Sequence, residues 1–319
     1  MATTVATVPA MARAPRRANL LQRMARNKVS MVGLFGVTLI LLIALIGPYL
    51  APYDPTELSA ARLRPPSAEH WMGTENFGRD VFSRFLHGSR ISMFVGIGSV
   101  ALALVVGALF GMLAGMNSGT IIDTLIMRGM DVILAFPLIV LVSVLAGVLG
   151  TRTIEVGPIT INNIILVAFA ISVVLIPIFA RVARASVLAE VREDYVLAAR
   201  SFGARTQDLL FGNLLPNIQA PLIVQAAFAL AIAIAVEAAV SFLGLGVQPP
   251  EASWGTMLAD ARRYLLLGAW WLVVFPSIAI AIAVLSFNLV GDALRDALDP
   301  RARTIVGDST TDQAVEREN

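Results

Sequence analysis

The chain has 319 residues, of which 57% are hydrophobic and only 14% charged, and its formal net charge is +2. A soluble domain carries roughly a quarter charged residues, so the composition excludes a soluble shell and describes an integral membrane protein. Cysteine is absent, and the two histidines, His70 and His87, lack a partner at metal-ligand spacing. Disulfides, thiol catalysis and a thiolate or histidine metal site are thereby excluded, and so small a net charge gives no ground for nucleic-acid binding.

Residues 1–28 are read as a basic cytoplasmic arm. Arg13, Arg16, Arg17, Arg23, Arg26 and Lys28 precede the apolar run 29–50. A span needs about 20 apolar residues to cross ~30 Å of hydrocarbon, and this run meets that length. It ends with Pro48 and is followed by Pro52 and Pro55 rather than a small-residue cleavage site, so it reads as a retained anchor. The loop 51–90 is too long for a turn and too polar for lipid. It is expected to fold over the outer mouth, with Trp71 and Phe77 at the interface.

Five further apolar runs follow, at 91–116, 132–150, 159–180, 218–246 and 265–290. Each is continuous rather than alternating, which predicts helices and not barrel strands. In the second run Gly107, Gly111 and Gly115 repeat every fourth residue and so share one helix face. Such a face suits close helix packing, either static or sliding during transport. Pro137, Pro177 and Pro276 each remove a backbone hydrogen bond and predict kinks. Glu237 is the ionisable residue well inside a span, and an intramembrane charge is a functional candidate by default. It reads either as a site that recognises an amino group or as a hydrogen-bonded structural acid. Asn288 in the sixth run reads as an interhelical hydrogen bond.

Six spans place both termini on one side. With the N-terminus inside, sixteen basic residues fall on cytoplasmic segments and eight on outer ones, which predicts N-in/C-in. The tail, 305–319, is polar without periodicity and reads as disordered. Arg152, Glu155, Arg262 and Arg263 fall in outer loops and read as solvated.

The segment 190–216 between the fourth and fifth runs is long for a cytoplasmic connection. Asp194 suits the cap of a helix over 195–202, Ala198 and Ala199 permit close approach of a partner, and Gly203 suits a left-handed stop. A second short helix is expected from Thr206, with Asp208 in its first turn, before Pro216 starts the fifth span. Lying flat on lipid headgroups is the alternative use of such a pair.

The order Ala198-Ala199, Gly203, Pro216 resembles the cytoplasmic motif of ABC importer permeases, Glu-Ala-Ala, then Gly, then Ile-x-Leu-Pro. Leu197 stands where that motif has Glu and Asn213 where it has Ile. Three further stretches resemble the C-type subunit of the dipeptide/oligopeptide/nickel subfamily. They are Gly73-Thr74-Glu75-Asn76-Phe77-Gly78-Arg79-Asp80 with Gly88-Ser89-Arg90, Glu237-Ala238-Ala239-Val240-Ser241-Phe242-Leu243-Gly244-Leu245-Gly246 with Ser253-Trp254-Gly255, and Asn288-Leu289-Val290-Gly291-Asp292 through Asp299-Pro300.

The resemblance implies an all-α, type I ABC importer permease fold over 29–304 in a bacterial cytoplasmic (inner) membrane. It implies a heterodimer with a second permease, two ATPase subunits and an extracytoplasmic substrate-binding protein, which Asp54, Pro55 and the 73–80 stretch would help to receive. Asp194, Tyr195, Ala198, Ala199, Gly203, Asp208 and Pro216 are then the coupling residues. No cofactor is expected on this chain: ATP and Mg belong to the partners, a phosphate-binding Gly-x-x-x-x-Gly-Lys-Ser/Thr pattern is absent, and the sole lysine is Lys28. The chain is therefore expected to be non-catalytic, and di- or oligopeptides are the expected cargo, with nickel, glutathione or haem as alternatives. A secondary transporter would call for mid-membrane carboxylates beyond Glu237 and an internal repeat. An intramembrane enzyme would need a catalytic pair that the two loop histidines do not supply.

Overall fold

A computed structural model describes residues 27–149, 154–156, 159–205 and 208–298. The expectations for the basic arm and the polar tail concern segments outside the described residues.

Helix α1 is Lys28–Leu50, opened by Asn27, whose side chain accepts from the Val29 N–H at 3.0 Å. Helix α2, Val81–Met116, starts earlier than the apolar run beginning at 91. Asp80 caps it, accepting from the Ser83 N–H at 2.7 Å, and the charged first turns are held by ion pairs rather than by water. The third run is not one straight helix. It is α3 (Ile121–Leu134) and α4 (Leu138–Leu149), bent by 90° at Pro137. Proline lacks an N–H and drives the residue before it out of helical geometry, so the break falls there.

Strands β1 (Ile154–Val156) and β2 (Ile159–Ile161) pair antiparallel, which moves the start of the fourth helix to Asn163. That helix, α5 (Asn163–Glu190), runs beyond the apolar stretch through Arg181 and Arg184. A short α6 (Asp194–Ser201) follows. Then comes a wide π turn, Leu209–Leu214, continuous with α7 (Leu215–Phe242). The separate second helix expected before the fifth span is thus absorbed into that span; Thr206 itself lies outside the described residues. Helix α8 is Trp254–Ala261. The last helix, α9 (Trp271–Leu298), starts later than the run at 265, because Gly268 breaks the chain at φ +83° after a single 3-10 turn.

Helices α1, α2, α5, α7 with its π turn, and α9 are each long and apolar enough to cross a membrane, and the bent pair α3–α4 qualifies as a broken span. The fold is an all-α membrane-spanning bundle carrying one short hairpin among the described residues.

Contacts between helices give their relative directions. Along α2, Gly107 meets Ile176 and Phe179, Gly111 meets Ala183, and Gly115 meets Val187. Both numbers rise together, so α2 and α5 run parallel. By contrast Gly33 and Gly36 of α1 meet Leu289 and Ser286 of α9, and Ser92 and Gly96 of α2 meet Glu237 and Ile234 of α7. Those pairs are antiparallel. The bundle therefore has two distinct ends. The loop end holds residues 51–80, α8 and the start of α2. The basic end holds the start of α1, the end of α5 with Arg181 and Arg184, and α6.

Parallel neighbours need a connection that returns to the starting end, and residues between Met116 and Asn163 make that return. An added Cβ at Gly107 would come within 2.6 Å of the Ile176 carbonyl and of Phe179 Cβ. The spacing of these glycines is what lets the α2 and α5 backbones approach this closely.

At the loop end, several polar groups between residues 70 and 84 are buried. Glu75, Asp80, Arg84 and His70 are buried, as is Thr74. Arg79 and Glu75 form an ion pair, Arg84 lies 3.6 Å from both Glu75 and Asp260, and His70 Nδ1 is 2.9 Å from Asp80. Trp271 donates its indole N–H to the Thr74 carbonyl at 3.2 Å. Trp71 and Phe77 remain exposed.

Candidate functional site

The segment between α5 and α7 sits at the basic end. Helix α6 is eight residues long, too short to persist alone in water, so its contacts decide whether it forms. Val196 is its apolar anchor, fully buried in a cluster with Leu209, Leu210 and Leu214. Ala199, three residues on, packs against the same cluster. Asp194 lies in the first turn, where a negative charge meets the positive end of the helix, rather than before the helix as its cap.

The stop is closed by two backbone bonds, Phe202 N–H to the Ala198 carbonyl at 3.0 Å and Ala204 N–H to the Ala199 carbonyl at 3.1 Å. That closure requires a left-handed residue, and Gly203 supplies it at φ +81°.

The two alanines therefore have different roles. Ala199 faces the core, whereas Ala198 is exposed. Tyr195, Ala198 and Phe202 follow one another at helical spacing and form the outward face, with Phe202 91% exposed. Phe202 was not singled out by the sequence. The available signal is its place just before a glycine stop, where a large side chain has no packed neighbour to meet.

Tyr195 also reaches sideways. Its hydroxyl donates to Glu190 Oε2 at 2.6 Å and accepts from Asn217 Nδ2 at 2.8 Å. Burial, then the Glu190 bond, pushes the phenol pKa up, so Tyr195 remains a hydroxyl at neutral pH. Glu190 and Asn217 were likewise not legible as site residues, because they lie on two different helices. Beyond α6, the π turn brings Leu215 N–H to the Leu210 carbonyl. Pi turns are uncommon and cluster at functional sites. Asp208 is exposed at its start, and Pro216, which lacks an N–H, follows directly after the π turn as the second residue of α7.

The other sequence candidates lie elsewhere. Glu237 is fully buried near the loop end. Ser92 donates to its Oε2 at 3.1 Å and Ser241 to its Oε1 at 2.8 Å. Ser92 Oγ also accepts the Trp254 N–H at 3.2 Å, tying the carboxyl group to the start of α8. Asn288 is half-buried and lines an open groove of about 630 Å³ between α7, α8 and α9, with Ser277 and otherwise apolar neighbours. Near the basic end, Arg184 makes two bonds to Asp123, at 2.7 and 2.8 Å, and Arg181 one to Asp131 at 2.7 Å. These pairs fasten α3 to α5. Among the described residues no cluster of His, Asp or Glu is placed to hold a metal ion.

Comparison with known proteins adds the following. Residues 107–304 match the family described as "Binding-protein-dependent transport system inner membrane component". Residues 17–66 match the "N-terminal TM domain of oligopeptide transport permease C". The chain is 45% identical, over 88% of its length and 91% of the relative's, to the di/tripeptide transport system permease protein DppC of Pseudomonas aeruginosa. It is 44% identical to the dipeptide transport system permease protein DppC of Escherichia coli, covering 87% of this chain and 91% of that one. It is 43% identical to the probable D,D-dipeptide transport system permease protein DdpC of the same organism, covering 83% and 85%.

Proposed function

The chain belongs to the binding-protein-dependent ABC importer permeases, as a C-type subunit of the dipeptide/oligopeptide family, and from that premise we propose that its cargo is a di- or oligopeptide and that α6 is its coupling helix. It is a permease subunit and a multi-pass membrane protein. Several relatives carry peptide names, which supports the cargo. The partners in this reading are a second permease, two ATPase subunits and an outer substrate-binding protein. The ATPase subunits hydrolyse ATP, and this chain forms half of the pathway.

Six spans, in a type I permease arrangement with both termini inside a bacterial inner membrane, fit the helix directions. The parallel run of α2 and α5 supports a crossing between them, and in this reading the bent pair α3–α4 makes it. Arg181, Arg184, Arg192 and Arg205 then fall on the cytoplasmic side, as positive residues favour. The 51–80 loop and α8 then face the binding protein.

The observation that carries the coupling reading is the outward pair Ala198 and Phe202 at the end of a short, glycine-stopped helix at the basic end. ATP can shift a permease between states only if the ATPase contact differs in energy between them. A helix held at both ends transmits such a difference to α5 and α7. Ala198→Glu places a charge on that face without entering the core. We expect it to reduce co-purification of the ATPase subunits and peptide import by at least about tenfold, as for a charge buried at an interface, with the permease still inserted. Normal import by that variant would overturn the coupling site. Mass spectrometry of the ligand carried by the cognate binding protein tests the cargo, and recovery of nickel, glutathione or haem in place of peptides would replace it.

A further inference from the structure

Among its described side chains, helix α6 is anchored by Val196, with Ala199 packed on the same face, and anchoring along one face leaves a short helix free to tilt about it. Tyr195 is the next residue and points to a different side. Its hydroxyl lies where three consecutive elements converge: Glu190 ends α5, Tyr195 opens α6, and Asn217 stands in the first turns of α7. The bonds are 2.6 Å to Glu190 and 2.8 Å from Asn217. Asn217 is itself steadied by donating to the Asn213 carbonyl at 3.0 Å, across the π turn. Together with the Val196 anchor these bonds set the tilt of α6 against both spans.

We infer that Tyr195 is a positioning residue, a polar pin that locks the angle of α6 to α5 and α7 so that a displacement of α6 moves both spans together. This rests on the coupling reading above and deepens it: Tyr195 acts through Glu190 and Asn217 and not mainly as a docking contact. Docking falls to Ala198 and Phe202. Without the hydroxyl, α6 can tilt while the spans stay still, and ATP is hydrolysed without import.

The test uses the full transporter, with both permeases, the ATPases and the peptide-loaded binding protein, reconstituted in vesicles. ATP hydrolysis and peptide import are measured on the same preparation. Tyr195→Phe removes both bonds and keeps the ring. It should leave subunit co-purification and ATP hydrolysis near normal while peptide imported per ATP falls about tenfold, the factor expected for losing two hydrogen bonds of ordinary net strength. Glu190→Ala should lower the same ratio, whereas Glu190→Gln, which keeps an acceptor oxygen, should restore it. A purely structural role would lower the yield of complex for all three and leave import per ATP unchanged.

Unchanged import per ATP in Tyr195→Phe overturns the inference, as does loss of the ATPases from that variant, which would make Tyr195 a docking contact. Should the Tyr195→Phe chain fail to insert in the membrane, the contrast between Glu190→Ala and Glu190→Gln decides. The Ala198→Glu variant separates the two levels of the argument. If it imports normally the coupling site itself is misplaced, whereas if it fails and Tyr195→Phe is normal only the pin is lost.

Discussion

The two ends of the bundle are built differently. At the loop end, buried polar groups are bonded both locally, as Asp80 to Ser83 and His70, Arg84 to Glu75, and Glu237 to Ser241, and between segments far apart in sequence, as Thr74 to Trp271, Arg84 to Asp260, and Glu237 to Ser92. At the basic end, among the described residues, the ion pairs are more open to solvent: the Arg181 and Asp131 side chains are 54% and 50% exposed, and Arg184 is 31% exposed against a buried Asp123. A buried polar contact is costly to break because its groups lose water and gain nothing in return, whereas an exposed one exchanges readily with solvent. The loop end is thus fastened by buried polar contacts to a greater degree than the basic end.

Asp260 stands at the rim of this network with its side chain half-exposed; partial desolvation raises its carboxyl pKa, while the nearby Arg84 pulls it back down.

Three substitutions sharpen or break this contrast, in order of expected loss of stability. Glu237→Ala leaves the Ser92 and Ser241 hydroxyls without an acceptor and opens a cavity, which should cost about 3 kcal/mol. Its reading is a lower melting temperature of the purified subunit. A normal melting temperature with lost import would instead make Glu237 a cargo contact. Gly111→Val forces a side chain against Ala183 Cβ, which an added Cβ would already approach to 2.6 Å, so that α2 and α5 must part. Overpacking of this kind costs about 2 kcal/mol, and the melting temperature should drop less than for Glu237→Ala. An unchanged melting temperature would show that the two helices separate freely. Asp131→Asn at the basic end removes a half-exposed ion pair and should cost no more than about 0.5 kcal/mol. A loss as large as that of Glu237→Ala would erase the distinction between the ends.

Much of this was readable in the order of residues. Long apolar runs mark membrane helices because lipid leaves no other partner for the backbone. The fourfold glycine spacing marks a close-packed face. Gly203 marks a left-handed stop, because a residue with a Cβ pays about 1–2 kcal/mol there. The boundaries were less readable. Hydropathy does not see that Asp80 caps α2, or that Arg84 is tolerated at its start because Glu75 and Asp260 face it. Nor does it see that α9 begins only after Gly268.

The sequence alone determined that the chain is a helical membrane protein, and its spaced motifs pointed to the importer permease family. Both follow from local quantities: apolar length, charge side and residue spacing. Only the tertiary structure decided which of Ala198 and Ala199 faces outward, that Glu237 is bonded within the chain, and that Glu190, Tyr195 and Asn217 meet at one hydroxyl. Those outcomes depend on which helices lie side by side and in which register, a property of the packed bundle that no window of sequence contains.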